Sequence, residues 1–176
     1  MKILGFAGWS GSGKTTVIEN IVPLLRQEKL AVALIKHAHH DFDIDQPGKD
    51  SWRHRRAGCR EVLITSSLRW ALMHELQDEP ELTLREALSR LSPCDLVLVE
   101  GFKRAAIPKL EIYRSTLGKP LLFPDDPHVV GIATDQPGAI AGASIPVLDL
   151  SNASILAAFA ITHSAELSFD NQGPDL

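Results

Sequence analysis

Residues 8–15, Gly8-Trp9-Ser10-Gly11-Ser12-Gly13-Lys14-Thr15, fit the pattern G-x-x-x-x-G-K-[ST] at every fixed position. The chemistry of that spacing is phosphate binding. Glycines let successive backbone N–H groups curl around phosphate oxygens, and a helix opening behind them adds partial positive charge. Lys14 is placed to reach β- and γ-phosphates, and the Thr15 hydroxyl to ligate Mg²⁺. The plain alternative is a glycine-rich turn without a ligand. Against it, apolar residues 3–7 read as a buried strand ahead of the loop, and residues 16–22, from Thr16, open a helical pattern behind it.

Three further polar clusters follow apolar runs. Glu100 ends the run 95–99, where nucleotide-binding folds place the acid that holds Mg²⁺ or its water. Gly101 then lets the chain turn close to phosphates. A solvated strand-end acid is the other reading of Glu100. Asp95, at the opposite end of the run, is assigned to the rim. Residues 36–45 crowd His37, His39, His40, Asp41, Asp43 and Asp45 into one short loop after Lys36. Imidazole and carboxylate together suit Zn²⁺ or Mn²⁺. A switch-like loop sensing γ-phosphate and Mg²⁺ is favoured over that, and a merely solvated loop stays open. Asp41 is the leading acid for metal or water, and His37 a donor to phosphate. Thr134 and Asp135 end another apolar run. A carboxylate there accepts from the ring N–H and exocyclic amine of guanine, a donor pair adenine lacks on that edge. Taken alone, the dipeptide reads equally well as a polar strand end.

The candidate catalytic residues are thus Lys14, Asp41 and Glu100, and the candidate metal ligands Thr15, Asp41 and Glu100. Candidate nucleotide contacts are Gly8 to Thr16 without a gap, Lys36, His37, Thr134 and Asp135. Lys49, Arg53, His54, Arg55, Arg56 and Arg60 form a basic patch, either a grip for an anion or a solvated helix face. Trp9 and Trp52 are candidates for surface stacking, and Trp70 for core or interface.

These residues need elements to hold them. Val17, Ile21, Leu24 and Leu25 share helical spacing, and Pro23 is expected to kink or break that helix, which ends near Lys29. Residues 31–35 read as a second strand buried on both faces. A short basic helix over 51–57 follows a turn. Residues 61–66 and 68–76 look extended and joined as a hairpin. Thr83 and Glu86 make a capping box for a helix with Leu84, Ala87, Leu88 and Leu91 on one face, ended by Pro93. Residues 109–114 alternate like a strand, residues 121–123 are too short to place, and 129–133 and 145–150 are further strands. Ser151 or Asn152 caps a last helix with Ile155, Leu156, Phe159 and Ala160 inward. The expected fold is α/β, P-loop NTPase-like: a mostly parallel sheet with helices on both faces and an additional β-hairpin-like region. Residues 1–162 form the nucleotide-binding domain and residues 163–176 a polar, frayed tail. Ligands of such sheets bind beyond the carboxyl ends of strands, where all four clusters would gather.

Composition narrows the class. The 176 residues suit one α/β domain, and 44% hydrophobic content supplies an ordinary core. A net charge of -4 argues against a general nucleic-acid binder. Cys59 and Cys94 have no metal or disulfide spacing. No apolar run is long enough to span a bilayer, and the chain enters its first strand without a signal-peptide pattern, so a soluble cytoplasmic protein is expected.

Residues 7–16, 35–41, 47–51, 69–73 and 98–103 together resemble the MobB family, adapters of molybdopterin-guanine dinucleotide biosynthesis. The lysine-histidine loop after residue 35 and the Arg69-Trp70 segment are more specific than the phosphate loop. The resemblance extends to about Leu150. It implies a homodimer that binds GTP with Mg²⁺ and hydrolyses it slowly. It implies a partner, the MobA-type guanylyltransferase that attaches GMP to molybdenum cofactor, with molybdopterin or its carrier proteins as further candidates. It also implies that Thr134 and Asp135 contact guanine. The alternative class is a P-loop small-molecule kinase, which calls for an arginine-rich lid; the loop near Arg53 to Arg60 can be argued as one, but no lid pattern follows the strand that ends at Glu100.

Overall fold

The computed structural model describes residues 1–38, 42–140 and 142–166. Two compact units make it up, residues 83–176 joining residues 1–37 in the first and residues 38–82 forming the second.

In the first unit, β1 (Lys2–Ala7), β2 (Val32–Lys36), β5 (Leu96–Glu100), β6 (Lys109–Tyr113), β7 (Val129–Thr134) and β8 (Val147–Asp149) form a sheet ordered β2-β5-β1-β6-β7-β8. Every neighbouring pair in that order is parallel. β9 (Ala165–Glu166) adds antiparallel contacts to the start of β1. Residues expected in a frayed tail are therefore paired into the sheet.

The sheet is covered on both faces because its strands alternate apolar side chains between them. Leu4, Phe6, Leu98, Leu110 and Ile112 pack with α1 (Lys14–Gln27) and α4 (Ala153–His163). Ile3, Val97 and Val99 pack on the other face with Leu84 and Leu88 of α3 (Leu84–Ser89). The capping box at the start of α3 is formed, the Thr83 hydroxyl accepting from Glu86 N at 3.2 Å and the Glu86 carboxylate accepting from Thr83 N at 2.8 Å. Asn152 caps α4 by accepting from Ile155 N at 3.1 Å.

Of the kink or break expected at Pro23, the break does not occur: α1 continues through it, and its exposed position leaves the carbonyl it would have occupied on the solvent side. β2 is not buried on both faces: it is the sheet's end strand, and Leu34 is 46% exposed. Ile155 points outward, and Ala157 takes the inward place with Leu156, Phe159 and Ala160. Lys109 and Glu111 of β6 are buried despite their charges, because β6 lies between β1 and β7 and residues 120–126 strap across it. Glu111 accepts from Leu122 N at 2.7 Å and Phe123 N at 3.0 Å, and Lys109 donates to Asp126 Oδ2 at 2.7 Å. Burial raises the Glu111 pKa, opposed by those two N–H donors.

In the second unit, β3 (Glu61–Thr65) and β4 (Trp70–His74) form the expected hairpin, and α2 (Asp50–Arg56) precedes it. Arg55 bonds Asp43 at 2.7 Å, Asp45 at 3.3 Å and Glu75 at 2.6 Å. Those partners raise its pKa further. The basic patch is thereby largely paired: Arg60 meets Glu79, Arg53 meets Asp50, and Arg56 lies over Trp52. Trp70 is not core, being 66% exposed.

Candidate functional site

Gly8, Gly11 and Gly13 take φ of 143°, 80° and 98°. At Gly8 the reason is also space, since a Cβ would lie 2.4 Å from Ile112 O. Gly13 stands at the N-cap of α1, which has no capping side chain and no acid in its first turn. Protein helices ordinarily satisfy these first N–H groups with a side chain. Here they are left facing the loop, an arrangement that suits an anion.

Lys14 Nζ donates to Gly8 O at 2.9 Å and Trp9 O at 3.0 Å, so its ammonium lies across the loop. Burial lowers its pKa, Glu100 opposes that fall, and Lys103 and Lys36 add to it. Thr15 Oγ1 donates to Glu100 Oε1 at 3.1 Å, and Lys36 Nζ lies 3.4 Å from Glu100 Oε2. Three elements thus meet at one carboxylate that is itself buried. A hydroxyl and a carboxylate side by side beneath a phosphate loop are the oxygen donors that Mg²⁺ takes. Ser12 Oγ is buried with no hydrogen-bond partner among the described residues.

His37 leaves β2 with its N–H on Glu100 O at 2.8 Å and its ring 4.8 Å from that of Phe102. The turn between them needs glycine at 101: φ is 103°, and a Cβ would lie 2.6 Å from the His37 Cβ. Asp41, with His39 and His40, lies outside the described residues, so its expected metal role has no geometry here. Asp43 and Asp45 belong to the Arg55 network of the other unit. Among the described residues, no group of three metal-ligating side chains gathers.

Thr134 and Asp135 end β7 at the same sheet edge. Thr134 Oγ1 donates to Asp135 Oδ1 at 3.4 Å and accepts from Gln136 N at 3.2 Å. Among the described residues, no hydrogen bond or ion pair joins them to the phosphate loop directly. Beside them is a cavity of about 410 Å³ lined by Tyr113, Leu121, Phe123, Gln136 and Ile140 among others. Two groups that the sequence reading passed over complete the edge. Arg114 Nε donates to Ser12 O at 3.1 Å. The strap of residues 120–126 receives the Trp9 indole N–H on Pro120 O at 2.8 Å, with Lys103 and Lys119 near the indole face. The signal for Arg114 was its position one residue past a strand that borders the phosphate-loop strand, which needs the strand order to be known.

Comparison with known proteins gives a consistent result. The family model described as Molybdopterin guanine dinucleotide synthesis protein B matches residues 3–135. A protein of Escherichia coli (strain K12) named molybdopterin-guanine dinucleotide biosynthesis adapter protein is 42% identical over 162 residues, covering 90% of this chain and 91% of the relative. A protein of the same name from Haemophilus influenzae is 42% identical over 135 residues, covering 77% of this chain and 75% of the relative. Among solved structures, a crystal structure of molybdopterin-guanine biosynthesis protein B superposes with TM-score 0.71 at 26% identity, over 91% of this chain and 98% of that one.

Proposed function

This chain belongs to the MobB family, the adapters of molybdopterin-guanine dinucleotide biosynthesis, and from that premise we propose that it binds GTP with Mg²⁺ and presents it to a MobA-type guanylyltransferase. The observation that carries the nucleotide part is the uncapped start of α1 at Gly13, with Thr15 and Glu100 converging just behind it. Loop N–H groups and Lys14 hold the β- and γ-phosphates, Lys14 exchanging its two carbonyl partners for phosphate oxygens. Thr15 supplies a direct oxygen to Mg²⁺ and Glu100 a direct or water-mediated one, while Lys36 keeps Glu100 oriented. Mg²⁺ in that position neutralises phosphate charge. Asp135 accepts from the guanine edge, and the cavity beside it takes the base.

In this reading the residues of the site bind and orient rather than drive turnover, so hydrolysis is slow. The chain acts as a homodimer, with molybdopterin or its carrier proteins as further partners. Among the described residues, no helix is long and apolar enough to cross a membrane.

The test is calorimetric titration with GTP and ATP, each with and without Mg²⁺, on the chain alone and with the transferase. GTP should bind tighter than ATP, and Mg²⁺ should strengthen it. Equal binding of ATP removes the guanine assignment. A single-turnover hydrolysis rate of about 1–100 s⁻¹, typical of kinases, favours a P-loop small-molecule kinase instead.

A further inference from the structure

Arg114 is the residue that stands between the two ends of the nucleotide site. β6 lies between β1, which feeds the phosphate loop, and β7, which ends in Thr134. Tyr113 and Thr134 are register partners, so the next residues, Arg114 and Asp135, leave the sheet side by side. The main chain of Arg114 is fixed by the 3-10 turn Ser115–Leu117, whose Leu117 N–H donates to Arg114 O at 3.1 Å. Its side chain then reaches in two directions. Nε donates to Ser12 O at 3.1 Å, and Nη1 lies 3.8 Å from Asp135 Oδ2. Between these ends the guanidinium runs beside Gly13, with Nε and Nη2 each 3.5 Å from where a Cβ would stand.

The two contacts differ in kind. The one to Ser12 is a directed hydrogen bond that fixes the loop backbone just before Gly13 and Lys14. The one to Asp135 is longer than a hydrogen bond. It biases the direction of the carboxylate by charge and leaves the oxygens able to accept from a ligand. A planar guanidinium presents separate N–H groups to the two ends at a fixed spacing, whereas a lysine ammonium is a single point charge without that fork.

We propose that Arg114 is a positioning residue for base selection: it ties the phosphate loop to Asp135 and so sets where the reading carboxylate stands relative to bound phosphates. A nucleotide spans the same two ends. With the phosphates fixed by the loop, a guanine edge meets Asp135 in register, while an adenine edge meets it without the donor pair. Loosening the tie lets Asp135 drift and blunts that difference, without removing any group that touches phosphate. The inference rests on the proposed guanine reading of Asp135.

The experiment is competition of GTP, ATP and inorganic triphosphate against a fluorescent GTP analogue. It uses the full chain, wild type and Arg114→Gln, with Arg114→Lys as a second variant that keeps the charge but not the fork. Thermal melting checks that each variant is folded. The expected result is a GTP-over-ATP preference reduced roughly tenfold, the scale of a modest coupling between sites, in both variants. Triphosphate affinity should stay within about threefold of wild type in the same assays. In an Asp135→Asn background, Arg114→Gln should change the GTP-to-ATP ratio no further, because the two residues act as one unit. An unchanged ratio in a folded variant overturns the inference. So does a parallel loss for all three ligands, which would make Arg114 a simple brace of the loop. A wild-type chain that binds GTP and ATP alike is a different failure: it removes the guanine reading and the inference with it.

Discussion

Lys14 shows what the phosphate loop asks of a single side chain. Its ammonium is drawn in from water, which lowers its pKa, and is kept near the loop by two backbone carbonyls and the Glu100 carboxylate. Lys14→Ala should leave the fold intact and weaken GTP about ten- to a hundredfold, since charge-assisted hydrogen bonds contribute roughly 1.5–3 kcal/mol. Unchanged titration curves would refute the assignment. The pH dependence has a definite sign. Phosphate binds the protonated form, and the folded pKa lies below the ordinary lysine value of 10.5. Affinity is therefore lost as pH rises through the lowered pKa, earlier than an exposed lysine would allow. Inorganic triphosphate, which carries no nucleobase, should show this decline at lower pH than an exposed lysine would give, and Lys14→Ala should remove the Lys14 part of it. A wild-type profile as flat as that of the variant would contradict the role. At this scale the site was legible where chemistry is written in spacing. Gly8, Gly13, Lys14, Thr15 and Glu100 lie where the motif and the strand end put them. Arg114 was not legible, because an arginine after an alternating run carries no mark of which strand will lie beside it.

β6 is the element on which a polarity pattern misleads. Alternation of Lys109, Leu110, Glu111 and Ile112 suggests a strand with one wet face, yet the strap of residues 120–126 dries that face by supplying partners for both charges. The strap has no periodic pattern and could not be placed from sequence; only its partners on β6 give it a position. Its grip makes a prediction. Asp126→Ala leaves the 2% exposed Lys109 with Lys103 O as its remaining hydrogen-bond acceptor. Breaking one side of a buried ion pair typically costs about 3–5 kcal/mol. Chemical denaturation should show a loss on that scale, and adding Lys109→Met should recover much of it, since the stranded charge is then gone. A single variant as stable as wild type would mean the pair carries no weight. The parallel sheet and the hairpin were readable from run length and alternation. The end position of β2 was not, because an apolar strand reads the same whether one neighbour or two lie beside it.

The whole molecule carries an apolar face that its own described residues do not cover. In the β3–β4 hairpin, Leu63 pairs with Leu72 and Thr65 with Trp70, and alternation puts these side chains on one face. Leu63, Leu72 and Trp70 are 62%, 49% and 66% exposed, whereas Met73 on the opposite face is 8% exposed. A two-stranded hairpin is marginal in water by itself, and a contiguous exposed apolar face marks an interaction surface. The Arg55 network joins residues 43–45, α2 and Glu75 just past β4, without using any of these apolar side chains. A second copy of the chain is the occupant that the proposed homodimer calls for. Leu63→Lys combined with Trp70→Lys should then convert a dimer to a monomer in sedimentation velocity. Neither substitution touches the Arg55 network or the pairing backbone of the hairpin. Circular dichroism should therefore stay as in wild type. A wild-type chain that sediments as a monomer removes the homodimer. A double variant that remains dimeric keeps the homodimer and moves its interface away from this hairpin face.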